Sequence, residues 1–231
     1  MKLRFQITKD KEIRFISHLE YLRTIGRAFR RAKLPVAYSQ GFNPHMKYSL
    51  ASALGVGVVS YAEFVELEQT EPVEPLVAAE AFKKALPRGI RVLAVDAVET
   101  NAPALMSVAG GAEYRITVPW TGDIASAVEQ FNQADEVIFV KQAPKTKEKV
   151  KKIDVKFYIP EIVAVQRERE TELHFHCRIT HDGSMKAVDL VNTLNEQYGL
   201  GIPVEKADIE RLDLYRVDEM GNKWPMLDGW Q

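Results

Sequence analysis

Read for periodicity alone, the chain gives one order of elements twice. Residues 2–8 alternate, Leu3, Phe5 and Ile7 against Arg4, Gln6 and Thr8, which predicts a half-buried strand. Ile13 to Ile16 extends it after a turn at Lys9-Asp10-Lys11. Ser17 then stands as an N-cap, with Glu20 at the capping-box position. Leu19, Leu22, Ile25, Gly26 and Phe29 share one face of the helix that follows, and Pro35 stops it. Val36 to Ser39 reads as a short strand, Gln40 to His45 as a loop, and Met46 to Leu50 as extended chain. Ala62 to Glu68 alternates as a strand, Val73 to Leu86 is helical, Pro87-Arg88-Gly89 ends that helix, and Ile90 to Val98 is a strand.

After a connector over 103–111 the pattern repeats. Tyr114, Ile116 and Val118 alternate in a strand, Ile124 to Asn132 is a helix, and Val137 to Val140 a short strand. The lysine-rich stretch around Pro144-Lys145-Thr146-Lys147 reads as a loop. Ile159 to Val165 and Glu172 to Thr180 flank a turn near Arg167 to Thr171. Lys186 to Tyr198 is a helix closed by Gly199 and Gly201, and Lys206 to Val217 is a last strand. Strand-helix-strand-strand-helix-strand is the ferredoxin-like order, with two helices on one face of an antiparallel sheet and the other face able to stay open to a ligand, a partner or the sister domain. The expected class is therefore α+β, as two tandem ferredoxin-like (βαββαβ) domains, 1–102 and 111–217. Residues 218–231, with Trp224, Pro225 and Trp230, form a tail. A length of 231 residues suits two domains of about 100 residues each.

Composition limits the chemistry. The single cysteine, Cys177, excludes an internal disulfide and a cysteine-held iron–sulfur cluster within this chain. It fits a reducing compartment, and no apolar leader precedes Lys2, so a cytoplasmic location is expected. No run approaches the roughly 18 apolar residues of a membrane span. Net charge is −1 but uneven: residues 1–50 carry eleven Lys/Arg against three Asp/Glu, and residues 141–156 carry seven Lys against two acids. Residues 205–231 carry four basic and seven acidic groups. Such asymmetry fits an anionic partner or a solvated surface.

Four groups of residues are candidates for function. Arg23, Arg27 and Arg30, with Arg31 beside them, form a basic stripe on the first helix. The guanidinium fork matches phosphate or carboxylate, while arginine stems also serve to cover the edge of a core. The loop around Ser39, Gln40, Gly41, Asn43, His45 and Lys47 would present polar groups at the end of a strand, or use Gly41 and Pro44 for turn geometry alone. His18 lies at the helix start, on the Leu22/Phe29 side, and is either a packed histidine or an acid–base group. His174 and His176 share one strand face with His181 nearby, which fits a metal site or an ordinary exposed face; no metal and no cofactor is assigned. Walker loops, dinucleotide fingerprints and nucleophile elbows are absent from the sequence.

Phe15-Ile16-Ser17-His18-Leu19-Glu20, Arg27-Ala28-Phe29-Arg30-Arg31-Ala32 and the run Leu34 to His45 resemble the radical-SAM-linked family of unknown function. The resemblance covers residues 1 to about 100 well and the rest loosely. It departs at Met46, where the family often has proline, and at Glu20, where it often has aspartate. Members stand alone or extend a radical SAM protein at its C-terminus, so the resemblance implies a radical SAM partner. It carries no activity, and this chain lacks the three-cysteine motif of the radical enzyme. Tandem ferredoxin-like domains with a basic first helix are also similar in architecture to CRISPR repeat-processing endoribonucleases, which makes RNA a first ligand to test.

Three functions follow as expectations. The first is a non-catalytic module that binds RNA or a phosphate ligand and acts with the radical SAM partner. Arg23, Arg27, Arg30, Arg31 and Lys47 would meet phosphate there, and Ser39, Gln40, Gly41, Asn43 and His45 would form the binding loop. The second is a metal-independent endoribonuclease with His18 and His45 as acid and base and Lys47 stabilising charge. The third is a protein-interaction scaffold whose basic stripe docks an acidic partner.

Overall fold

The structure is a computed structural model and describes residues 1–119, 122–142 and 149–228. The loop expected around Pro144 to Lys147 and the tail residue Trp230 lie outside the described residues. The fold is mixed α+β, and the chain divides into two compact units, residues 1–110 with 213–231, and residues 111–212. Among the described residues no helix is long and apolar enough to cross a membrane.

The first unit runs β1 (Lys2–Lys9), α1 (His18–Arg31), β2 (Tyr48–Leu50), β3 (Val58–Glu68), α2 (Pro75–Ala85), β4 (Val92–Val98) and the single turn α3 (Leu105–Val108). β1 pairs antiparallel with both β3 and β4, and β2 pairs antiparallel with β3, giving the order β2-β3-β1-β4. Register places Leu3 opposite Leu67 and Phe5 opposite Val65, so the apolar set of each strand falls on one face. On that face α1 supplies Tyr21, Ile25 and Phe29, and α2 supplies Ala78 and Phe82. The rings of Phe29 and Phe82 stack at 4.3 Å, and Phe5 meets Phe82 at 5.0 Å. Full burial of each such side chain stabilises by about 1.5–3 kcal/mol, with a further contribution from ring geometry.

The opposite face of this sheet, which the fold could leave open to a ligand or a partner, is covered. Arg4 and Glu66 stand opposite each other and pair at 2.9 Å, both nearly buried, and Lys2 Nζ reaches Glu66 at 3.2 Å. Lys2 and Arg4 also donate to the carbonyls of Ala102 and Pro103, so the segment leading into α3 lies across them, and Leu105 is fully buried.

Two strand expectations fail here. Ile13 to Ile16 is not extended, because Lys9 Nζ gathers the carbonyls of Arg14 (2.9 Å) and Ile16 (3.1 Å) into a turn after a 3₁₀ segment at Lys11–Ile13. Val36 to Ser39 makes only isolated bridges, Val36 with Gln69 and Tyr38 with Met46. Ala37 donates to Glu68 O and accepts from Lys47 N, so the segment is split between two partners rather than laddered on one.

The second unit contains most of β5 (Ala109–Pro119), then α4 (Ile124–Gln133), β6 (Ile138–Gln142), β7 (Val150–Asp154), α5 (Val155–Tyr158), β8 (Ile162–Gln166), β9 (Glu170–Thr180), β10 (Gly183–Ser184), α6 (Ala187–Tyr198) and the first half of β11 (Asp208–Val217). Strand order is β8-β9-β5-β11, and β6 with β7 forms a separate hairpin. Ile116, Phe131, Leu173, Phe175, Leu190 and Leu194 are buried in its core. Gly199, at φ +65°, closes α6 in the left-handed conformation. The short strand expected at Val137 is half of a hairpin, and its partner β7 went unforeseen because alternating lysines masked the pattern. In the first unit, residues expected as a tail carry β12 (Lys223–Pro225), which pairs with Tyr215 to Val217 of β11.

Candidate functional site

The site is built on α1. Ser17 Oγ accepts from Glu20 N at 3.2 Å and opens the helix as its N-cap. The Glu20 carboxylate does not turn back to complete a capping box; it takes Arg23 at 2.6 Å. Arg31 is also engaged, donating Nη2 at 2.7 Å and Nε at 3.2 Å to Ala85 O at the end of α2, where a cation suits the helix dipole. Arg27 and Arg30 are exposed and have no side-chain hydrogen bond or ion pair among the described residues. Of the four arginines in the stripe, these two keep their forks available for a ligand.

Gly26 fixes what lies beside them. A Cβ there would stand 2.8 Å from Tyr48 Cζ, closer still to its hydroxyl, and 3.1 Å from Met46 Cε. Only glycine lets β2 cross the helix at this depth. The Tyr48 hydroxyl donates to Leu22 O at 3.1 Å, and its ring meets Phe29 edge-on. Burial raises the Tyr48 pKa, and the nearby Arg30 charge opposes that rise, which places Arg30 within electrostatic reach of the hydroxyl.

Met46 and Tyr48 thus dock on α1 at Gly26, and residues 39–45 project from this base. Ser39 N donates to His45 O (2.8 Å) and His45 N to Ser39 Oγ (2.9 Å), closing the loop. Gly41 takes φ +123° with nothing within 4 Å of where a Cβ would stand, so conformation rather than space requires glycine. Gln40, Asn43 and His45 are exposed. Phe42 is wholly exposed at the loop tip, and Tyr38 is 45% exposed at its base. Neither aromatic is assigned a role from the sequence; for Phe42 the signal is its place in a polar loop, where no core requires a ring.

The remaining candidates stand apart. Lys47 pairs with Glu68 at 2.8 Å. His18 is partly buried in the first turn of α1, with Nδ1 sequestered and without a hydrogen-bond partner. No hydrogen bond or ion pair among the described residues joins His18, His45 and Lys47. In the second unit His174 Nε2 contacts Glu172 at 3.1 Å, His176 stands opposite Glu113, and exposed His181 contacts Asp182 at 3.2 Å. Among the described residues no group of three or more His, Cys, Asp or Glu side chains is arranged to hold a metal ion.

A family model described as an uncharacterised protein conserved in bacteria (DUF2344) matches residues 2–189, and the chain belongs to that family. No curated protein matches it. Among solved structures it is similar to a chain of "Crystal Structure of a Cbf5-Nop10-Gar1 Complex", at 13% identity and a TM-score of 0.47, over 93% of this chain and 51% of that one. The chain therefore spans about half the length of that neighbour. It is also similar to an unknown protein from Galdieria sulphuraria, at 11% identity and a TM-score of 0.26, over 91% and 96% of the two chains.

Proposed function

We propose that this member of a bacterial family of uncharacterised function is a non-catalytic module that binds RNA or another phosphate-bearing ligand through α1 and loop 39–45, in the service of a radical SAM partner protein. The observation that carries the reading is the pair Arg27 and Arg30, exposed and uncommitted, on the helix where the loop bearing Phe42 is anchored. Guanidinium forks suit phosphate, and an exposed ring gives a base a face to stack on. The partner rests on the family resemblance of residues 15–45. The strand orders β2-β3-β1-β4 and β8-β9-β5-β11 support reading each unit as ferredoxin-like.

The test is retention of cellular RNA by the purified chain in EDTA, at low and high salt, with the recovered RNA run on a gel. Intact RNA held at low salt and released at high salt is the expected result. Absence of binding at both salts overturns the reading and favours a protein scaffold. Shortened RNA that stays intact with His18→Ala would instead favour a nuclease.

A further inference from the structure

The second unit holds a cleft of about 400 Å³ where β7, α5 and β10 meet. Lys151, Lys152, Phe157, Tyr158 and Ser184 line it. Lys151 stands directly opposite Lys141 in the β6–β7 hairpin, and like charges in register repel. Lys141 is neutralised by the nearly buried Asp189 at 2.7 Å. Lys151 and Lys152 are exposed and have no ion-pair or hydrogen-bond partner among the described residues. Asp154, the one carboxylate among the described residues of the lining, is occupied as a helix cap, its Oδ1 accepting from Lys156 N at 3.0 Å and Val137 N at 3.5 Å. Lys156 itself turns inward to the carbonyls of Phe131, Asn132 and Pro160.

The aromatic side of the cleft is equally specific. Phe157 is 48% exposed although Val155 and Ile159, two residues to either side, are fully buried. Tyr158 stands perpendicular to it at 5.0 Å, and the Arg178 guanidinium lies over its ring at 5.8 Å from the centroid, a cation that also favours a phosphate-bearing ligand. A simple anion has no use for Phe157, and an apolar ligand has none for two uncommitted lysines. An aromatic base joined to a phosphate uses both.

We propose that this cleft binds a nucleotide unit, its phosphate on Lys151 and Lys152 and its base against the Phe157 ring. The site shares no residue with α1 or loop 39–45 and stands independently of the function proposed for them.

The experiment titrates the full chain with 2-aminopurine riboside 5′-monophosphate, whose fluorescence is quenched on stacking. Quenching that saturates is expected, with Phe157→Ala abolishing it and weakening binding about tenfold or more, and Phe157→Trp retaining it. Lys151→Ala with Lys152→Ala should weaken binding and flatten its salt dependence. Circular dichroism of each variant confirms that it is folded. All of these titrations are run with Phe42→Ala in place, which removes the exposed ring of loop 39–45, so the quenching reports this cleft alone and failure here is separable from failure of the α1 reading. Competition by a single-stranded RNA above that of the mononucleotide assigns the site to RNA, and equal competition assigns it to free nucleotide. The proposal is overturned by absence of quenching, by quenching that persists in Phe157→Ala, or by inorganic phosphate binding as tightly as the probe.

Discussion

Gly26→Ala should destabilise the protein, although alanine is the better helix former. In a helix interior that exchange gains about 1 kcal/mol. Here the added methyl would stand 2.8 Å from Tyr48 Cζ and 3.1 Å from Met46 Cε. Tyr48 has little freedom to retreat, with its hydroxyl on Leu22 O at 3.1 Å and its ring against Phe29 at 5.8 Å. Overpacking a filled site costs about 1–3 kcal/mol, so after the helix gain the net loss is about 1 kcal/mol. Tyr48→Phe alone should cost about 1 kcal/mol by removing its hydrogen bond. In the double variant the closest obstruction is gone, so the two costs should not add. Urea unfolding followed by circular dichroism measures all four proteins. Stabilisation by Gly26→Ala, or strict additivity in the double variant, would refute the close crossing of β2 over α1 on which the site depends.

Three further outcomes are expected. Asp218 accepts from the Trp224 indole (3.0 Å) and from Asn222 and Met220, and these bonds, Trp224 foremost, hold its carboxyl at about 2 against an ordinary 3.8. Because the folded value is depressed, the contribution of this clasp is complete above the ordinary carboxylate range and is lost as pH falls through about 2. The Trp224 indole N–H resonance should therefore hold its position at pH 3.8, and a midpoint near 3.8 would contradict the clasp. Burial pushes the Cys177 thiol up to about 11, against smaller opposing effects of Met185 and Arg211, so Ellman's reagent at pH 8 should react slowly with native protein and with one thiol per chain in denaturant. Rapid reaction of native protein would show that β9 does not shield it. Glu66→Ala strands Arg4 in the covered face of the first sheet and should cost about 3–5 kcal/mol in urea unfolding, and a cost below about 1 kcal/mol would mean that the face is wet.

Alternation was a reliable guide wherever one strand face is buried and the other is not. β5 and β9 follow it because Tyr114, Ile116 and Val118, or Leu173, Phe175 and Cys177, turn inward while the residues between them are less buried; in β1 the apolar set Leu3, Phe5 and Ile7 alternates with Arg4 and Thr8, which are buried as well. The cap at Ser17 and the left-handed Gly199 were local chemistry, legible in the residues themselves. What escaped was set by partners distant in sequence. Lys9 folds residues 14–16 into a turn from the end of β1, and Arg4 pairs with Glu66 on a sheet face that the segment leading into α3 covers. The basic stripe was legible as a stripe. Which members are free was not, because Glu20 and Ala85 O decide it. Gly26 was visible as a glycine within an amphipathic helix, but the tyrosine it admits lies 22 residues further on.

Salt-dependent binding of a labelled single-stranded RNA, followed by fluorescence anisotropy, tests the central claim most directly. The account predicts that Arg27→Ala with Arg30→Ala weakens binding and lowers the slope of log K against log salt by about 1.4, or about 0.7 for each phosphate no longer neutralised. Lys83→Ala with Lys84→Ala removes the same charge from α2 and should leave that slope unchanged. Equal effects of the two pairs, or no binding by the unaltered chain, would contradict it.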